Sequence, residues 1–287
     1  MELYIFQALT GGLLFGIGAM IFKWIAHVKG DDNLFFVALY ASGAACFFAD
    51  GFEEIGKFGD VNYYVSGLLI GLGAAGGNYC FARGLHHGPT GLSSAFAKAN
   101  IVLVILISAF YYREPLEFTE IIGILFFLSA MLVVNLKIGG SSKPASKIWF
   151  LLMIGAMILL AFRNGGLKVV DELGIVSALV MALAYSICAL FFAGRYIMSF
   201  NTNLHSEKSS THILAVGALT GVVSFAGLYF YIAALEKGPA SVVVTLFSLD
   251  LLFVLLMSYL LFGERLNFNQ KIGFLFSAIG FVLLGIS

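Results

Sequence analysis

The stretch "GPASVVVTLFSLDLLFVLLMSYLLFGERLNF", Gly238 to Phe268, has a second form 150 residues earlier in the chain: "GPTGLSSAFAKANIVLVILISAFYYREPLEF", Gly88 to Phe118. Setting one above the other superposes Gly88-Pro89 on Gly238-Pro239, and the register holds without a gap. Glu114, Leu116 and Phe118 meet Glu264, Leu266 and Phe268, and Ile122-Gly123 meets Ile272-Gly273. Shared apolar composition does not produce matching Gly-Pro and Glu-x-Leu-x-Phe punctuation. The chain therefore reads as one unit used twice.

Of 287 residues, 60% are hydrophobic and 11% charged, against about a quarter charged in ordinary soluble domains. Such a chain belongs in lipid. Lys plus Arg and Asp plus Glu both number 16, so no bulk charge is available to attract nucleic acid, and no nucleic-acid partner is expected. Cys46, Cys80 and Cys188 lie inside apolar runs at spacings that match neither a metal site nor a disulfide framework. They read as packing residues, and neither metal nor cofactor is expected.

A span needs about 20 apolar residues, and polar punctuation marks ten of them. They run Leu3 to Ala26, Asn33 to Gly51, Val61 to Leu85, Thr90 to Tyr112, Phe118 to Leu136, Ile148 to Val170, Ile175 to Ser199, Ile213 to Leu235, Ala240 to Phe262 and Phe268 to Ile286. The start, "MELYIFQAL", lacks the positive region of a secretory signal, so the first run reads as a permanent span. The polar linker at 139–147 separates a first five-helix repeat, 1–138, from a second, 148–287. Five is odd, so the second copy must enter the membrane from the opposite side. The expected fold class is an all-α polytopic membrane protein of ten transmembrane helices, arranged as two inverted five-helix repeats. Inverted repeats build secondary transporters with a site near the midplane and alternating access.

A short Gly-Pro-Ala turn, a span, then Leu-Phe-Gly-Glu-Arg-Leu and a last span resembles the EamA-like, ten-helix branch of the drug/metabolite transporter superfamily. The second half carries the pattern more fully. Where the family often has Leu-Glu-Pro, this chain has Leu249-Asp250-Leu251, and the first half has Asn100 at the acid position and Arg113-Glu114 where Gly-Glu would stand. The resemblance implies a central cavity lined mainly by spans 1, 3, 4, 6, 8 and 9, and cytoplasmic termini. The positive-inside rule points the other way. Lys and Arg flank the odd-numbered loops ten times, against four at the even loops and termini, which would put both termini outside. The expected setting is a bacterial inner (plasma) membrane.

Charges inside spans mark pathways or pairings. Lys98 lies nine residues beyond Pro89 and Asp250 eleven beyond Pro239, roughly 13 and 16 Å in from opposite faces at 1.5 Å per residue. They reach a similar depth. A pairing would account for both, although Asn100, not Lys98, is the repeat mate of Asp250. In "LLAFRNGGLKVV", Leu159 to Val170, Arg163 and Asn164 precede Gly165-Gly166; this looks like the polar, glycine-broken segment that the family carries on span 6. Asn78 and Tyr79 on span 3, with Tyr229 and Tyr231 on span 8, complete the candidate substrate-binding set.

Other motifs carry less. Gly91-Leu-Ser93 near His86-His87 has the elements of an intramembrane serine protease, but the histidines sit at a span end and Ser94 occupies a position where a close-approach glycine is needed. No enzyme is expected. The sequence-level reading is a secondary transporter of a small polar metabolite, an amino acid or other carboxylate-bearing solute, with coupling to protons or exchange left open. Two deep cations, Lys98 and Arg163, against one anion, Asp250, favour an acidic substrate. Two alternatives stay open: an organic-cation or drug exporter using Asp250, and a flippase for lipid-linked intermediates.

Overall fold

The computed structural model describes residues 3–27, 31–87, 97, 99–111, 113, 116–135, 147–200, 210–250, 253 and 268–284. These form ten α-helices: α1 (Leu3–His27), α2 (Asp32–Asp50), α3 (Val61–His87), α4 (Asn100–Phe110), α5 (Phe118–Asn135), α6 (Lys147–Glu172), α7 (Ser177–Phe200), α8 (Ser210–Leu235), α9 (Ala240–Phe247) and α10 (Phe268–Leu284). A short 3-10 helix, Phe52–Gly59, joins α2 to α3. Four stretches, Asp32–Asp50, Lys147–Glu172, Ser177–Met198 and Ser210–Leu235, are each long and apolar enough to cross a membrane.

Local chemistry sets the ends of these helices. Asp31 caps α2, its carboxylate accepting from the Leu34 N–H at 3.0 Å. Gly174, at φ +64°, makes the left-handed turn that separates α6 from α7. Pro239 stands immediately before α9, where a missing N–H costs nothing. In the 3-10 helix, Glu54 lies 2.7 Å from Lys57 and holds its ammonium above the ordinary lysine range.

The ten helices pack as two interchangeable sets. Where α1 packs on α8, α6 packs on α3; where α2 packs on α8, α7 packs on α3; where α1 meets α9, α6 meets α4. The pairs α2–α7, α4–α9 and α5–α10 map onto themselves. Repeat mates that touch run antiparallel. Along α2 and α7, Phe36 stacks on Phe192, Tyr40 meets Tyr185 and Phe47 meets Tyr185, so positions rise on one helix as they fall on the other. On α5 and α10, Gly123 faces Gly280 while Phe126 meets Phe276. The repeat is therefore inverted.

Glycines hold the two sets in the same register. Gly67, Gly71 and Gly77 on α3 stand 150 residues before Gly217, Gly221 and Gly227 on α8. A β-carbon at Gly77 would meet the Leu160 side chain of α6 at 2.8 Å, and one at Gly227 would meet the Phe15 ring of α1 at 2.7 Å. Gly67 and Gly71 abut Leu183 and Ala184 of α7, as Gly217 and Gly221 abut Phe35 and Leu39 of α2. Small residues let membrane helices approach closely, and packing attraction is then the main force between them.

Two sequence expectations are corrected. Helix α6 runs unbroken through Gly165-Gly166; Gly166 is there because a β-carbon would sit 2.8 Å from the Ile70 side chain. The interruptions fall instead in spans 4 and 9, which were expected to be continuous. Ala99 lies in a turn between helical Ala97 and Asn100, and Ser248 and Leu249 form a turn between Phe247 and helical Asp250. Leu249 is the repeat mate of Ala99. At both places side chains take backbone carbonyls: Asn100 Nδ2 donates to Ala97 O, and Ser248 Oγ to Val244 O at 2.8 Å. Such back-bonding competes with the helix ladder, although Ser186 and Thr220 make the same bond inside unbroken helices.

Candidate substrate site

The site starts at the interruption in span 4. Buried Asn100 opens α4, and its Oδ1 accepts from Asn164 Nδ2 on α6 at 2.8 Å. The backbone carbonyl of Asn164 accepts in turn from the Tyr231 hydroxyl on α8 at 3.3 Å. Three helices are thus joined by one polar chain. In a medium without water the Asn164 amide and the Tyr231 hydroxyl find partners in this chain.

Arg163 precedes Asn164 on α6. It stands 16 residues beyond Lys147, about 24 Å along the helix. Lys168, bridged to Asp171 at 3.6 Å and Glu172 at 3.3 Å, marks the polar end of α6. Long helical side chains lean toward the N-terminus, which for Arg163 is away from that polar end. Its guanidinium carbon lies 5.4 Å from the centre of the Phe15 ring, midway along α1, a cation–π contact that is strongest when water is excluded. It acts electrostatically on the hydroxyls of Tyr40, Tyr185 and Tyr231 and on the Cys188 thiol. Among the described residues it has no carboxylate within ion-pair distance.

The groups around Arg163 are themselves fixed. Asn78 Nδ2 donates to the Tyr40 hydroxyl at 2.9 Å, Tyr185 and Ser224 share a hydrogen bond of 2.7 Å, and the Cys188 thiol donates to Gly71 O at 3.4 Å. Phe247 closes one wall, edge-on to Phe15 at 4.9 Å and 4.4 Å from Tyr231. The result is a cation held among oriented hydroxyls and aromatic faces.

Of the residues singled out in the sequence, the structure brings together Arg163, Asn164, Asn78 and Tyr231. Asp250 resumes the helix after the turn in span 9, with its backbone carbonyl against Gly16 of α1, one residue from Phe15. Tyr79 lies beside Arg83 and Arg195 near the ends of α3 and α7. Tyr229, its repeat mate, is 49% exposed on the outer face of α8. Lys98 lies outside the described residues. Tyr40, Tyr185, Ser224 and Phe15 were not singled out, and Cys188 was read only as packing. A lone hydroxyl in an apolar run gives no signal until its neighbours across helices are known.

The model of the EamA-like transporter family matches residues 2–136 and, a second time, residues 142–286. The chain belongs to the EamA-like transporter family. A solved crystal structure at 16% sequence identity superposes with a TM-score of 0.76, covering 99% of this chain and 96% of that one, which is a likeness of fold. No curated protein matches. Membership makes this chain a multi-pass integral membrane protein of the drug/metabolite transporter type, working on a small molecule in a lipid environment. Members of the family are transporters and not enzymes.

Proposed function

We propose that this EamA-like protein is a secondary transporter of a small polar metabolite carrying a carboxylate, an amino acid or organic acid. It crosses the bilayer ten times, and the substrate passes through a central cavity by rocking of the two five-helix repeats. The carrying observation is Arg163, half-buried among tyrosine hydroxyls with no carboxylate beside it among the described residues. A cation withdrawn from water is costly unless an anion accompanies it. The planar fork of arginine matches a carboxylate with two parallel hydrogen bonds. Tyr40, Tyr185 and Ser224 stand ready for the polar remainder of the substrate, with Phe15 and Phe247 as walls. In this reading Lys98 assists Arg163, and Asp250 takes the coupling proton or tunes the lysine.

A thermal-shift screen of amino acids and organic acids on the purified protein, followed by uptake into proteoliposomes, tests it. Arg163→Gln should weaken binding of the best carboxylate by about 10- to 100-fold, the worth of one charge-assisted pair. Arg163→Lys should retain part of it, Lys98→Gln should weaken it, and Asp250→Asn should spare binding while slowing uptake. Tight binding of a quaternary amine, unaffected by Arg163→Gln and lost in Asp250→Asn, would replace this reading with the organic-cation exporter.

A further inference from the structure

A second cationic site lies outside the Arg163 group. Toward the C-terminal ends of α3 and α7, the Tyr79 ring is flanked by two guanidinium groups: Arg195 at 4.6 Å and Arg83 at 5.8 Å from its centre. Arg83 Nε also donates to the Tyr79 hydroxyl at 3.2 Å. Two like charges on one neutral phenol repel one another. Among the described residues neither arginine has a carboxylate within ion-pair distance. On α7, Phe191, Gly194, Arg195 and Met198 share one face by their 3–4 spacing, and Met198 on that face is 75% exposed. A β-carbon at Gly194 would meet nothing within 4 Å, so the surface beside Arg195 is open.

We propose that this arginine pair binds the headgroup of an anionic glycerophospholipid, its phosphodiester bridging Arg83 and Arg195 and its acyl chains lying on the exposed apolar face of α7. Two arginines side by side with no carboxylate within ion-pair distance among the described residues call for an anion. The adjoining apolar face distinguishes a lipid from a free anion, because only a lipid satisfies both parts at once. Tyr79 holds the two guanidiniums apart through its face and its hydroxyl, which presets their spacing. The site depends neither on the transported substrate nor on Arg163.

The test uses the full chain purified in a neutral detergent, with melting followed as lipid is added. Phosphatidylglycerol should raise Tm by about 5 °C more than phosphatidylcholine at equal concentration, and inorganic phosphate should have no effect. In the Arg83→Gln/Arg195→Gln protein the two lipids should become equivalent, whereas Arg83→Lys/Arg195→Lys should keep part of the preference. If the double glutamine variant does not fold, Gly194→Leu serves instead: it covers the open surface beside Arg195 without touching a charge and should abolish the preference. Equal shifts from both lipids in the unaltered protein would overturn the proposal. So would a preference that survives both Arg83→Gln/Arg195→Gln and Gly194→Leu, or a shift that inorganic phosphate reproduces, which would mark a soluble-anion site.

Discussion

Among the described residues Arg113 is the one non-glycine with positive φ, at 52°. Its repeat mate in the second half is Gly263, the residue type that adopts such a φ without steric cost. An L side chain there costs about 1–2 kcal/mol, offset in part by the extra chain entropy that glycine loses on folding. Arg113→Gly should therefore raise stability by about 1 kcal/mol, read as a higher melting temperature; an unchanged or lower value would mean that the arginine side chain earns its conformation through contacts. The same contrast in visibility holds at the site. Arg163, Asn164 and Asn78, as candidates, stood out in the sequence because a charge or an amide in a span has no apolar explanation. Tyr40 and Tyr185 did not, because their rings pack as any aromatic does and only the partner across the helix interface, Asn78 or Ser224, shows that the hydroxyl is used.

At the level of helices, hydropathy and punctuation located the segments: α1, α3, α5 and α8 each begin or end within a few residues of the expected spans. The interruptions at Ala99 and at Ser248-Leu249 were illegible, because neither contains glycine or proline, and a side chain taking a nearby carbonyl, as Asn100 and Ser248 do there, also occurs at Ser186 and Thr220 inside unbroken helices. Gly165-Gly166 misled in the opposite direction, since inside a span a glycine pair serves close approach as readily as a break. The glycines of α3 and α8 make that distinction testable. A methyl group at Gly221 would collide with Leu39 O and Ser42 Oγ of α2, where Ser42 Oγ also donates to Ala218 O at 2.9 Å. A methyl at Gly155 meets only Cys80 Sγ at 3.6 Å, an ordinary contact. Gly221→Ala should destabilise by about 1–3 kcal/mol through overpacking, whereas Gly155→Ala should be neutral or gain up to about 1 kcal/mol of helix propensity. Equal melting temperatures for the two variants would show that α8 can slide on α2.

For the whole molecule, the inverted repeat was readable from one stretch of sequence, but the orientation in the membrane is not set by the fold. A two-fold axis in the membrane plane exchanges the halves, so the same packing can sit either way up. Only the loop charges choose. What the sequence did not disclose is that the halves interlock. Among the described residues every heavily packed helix pair joins a helix of residues 1–138 to one of residues 148–287: α3 lies on α6 and α7, α8 on α1 and α2, and α5 on α10. Neither half buries its glycine seam against itself. Without a partner, close-approach glycines on α3 face lipid, which cannot enter the narrow contact that Leu160 and Ala184 fill. Cutting the chain within 139–147 should therefore leave each half unable to fold when expressed alone, with aggregation or proteolysis as the readout. Co-expression of the two pieces should restore a 1:1 complex that elutes as a single species and binds substrate as the intact chain does. A lone half that is monodisperse and unfolds cooperatively would contradict this. If it were a dimer of two first halves, the seams of α3 would have accepted α1 and α2 in place of α6 and α7, and the exchange of packing partners between the two sets would be a physical equivalence as well as a geometric one.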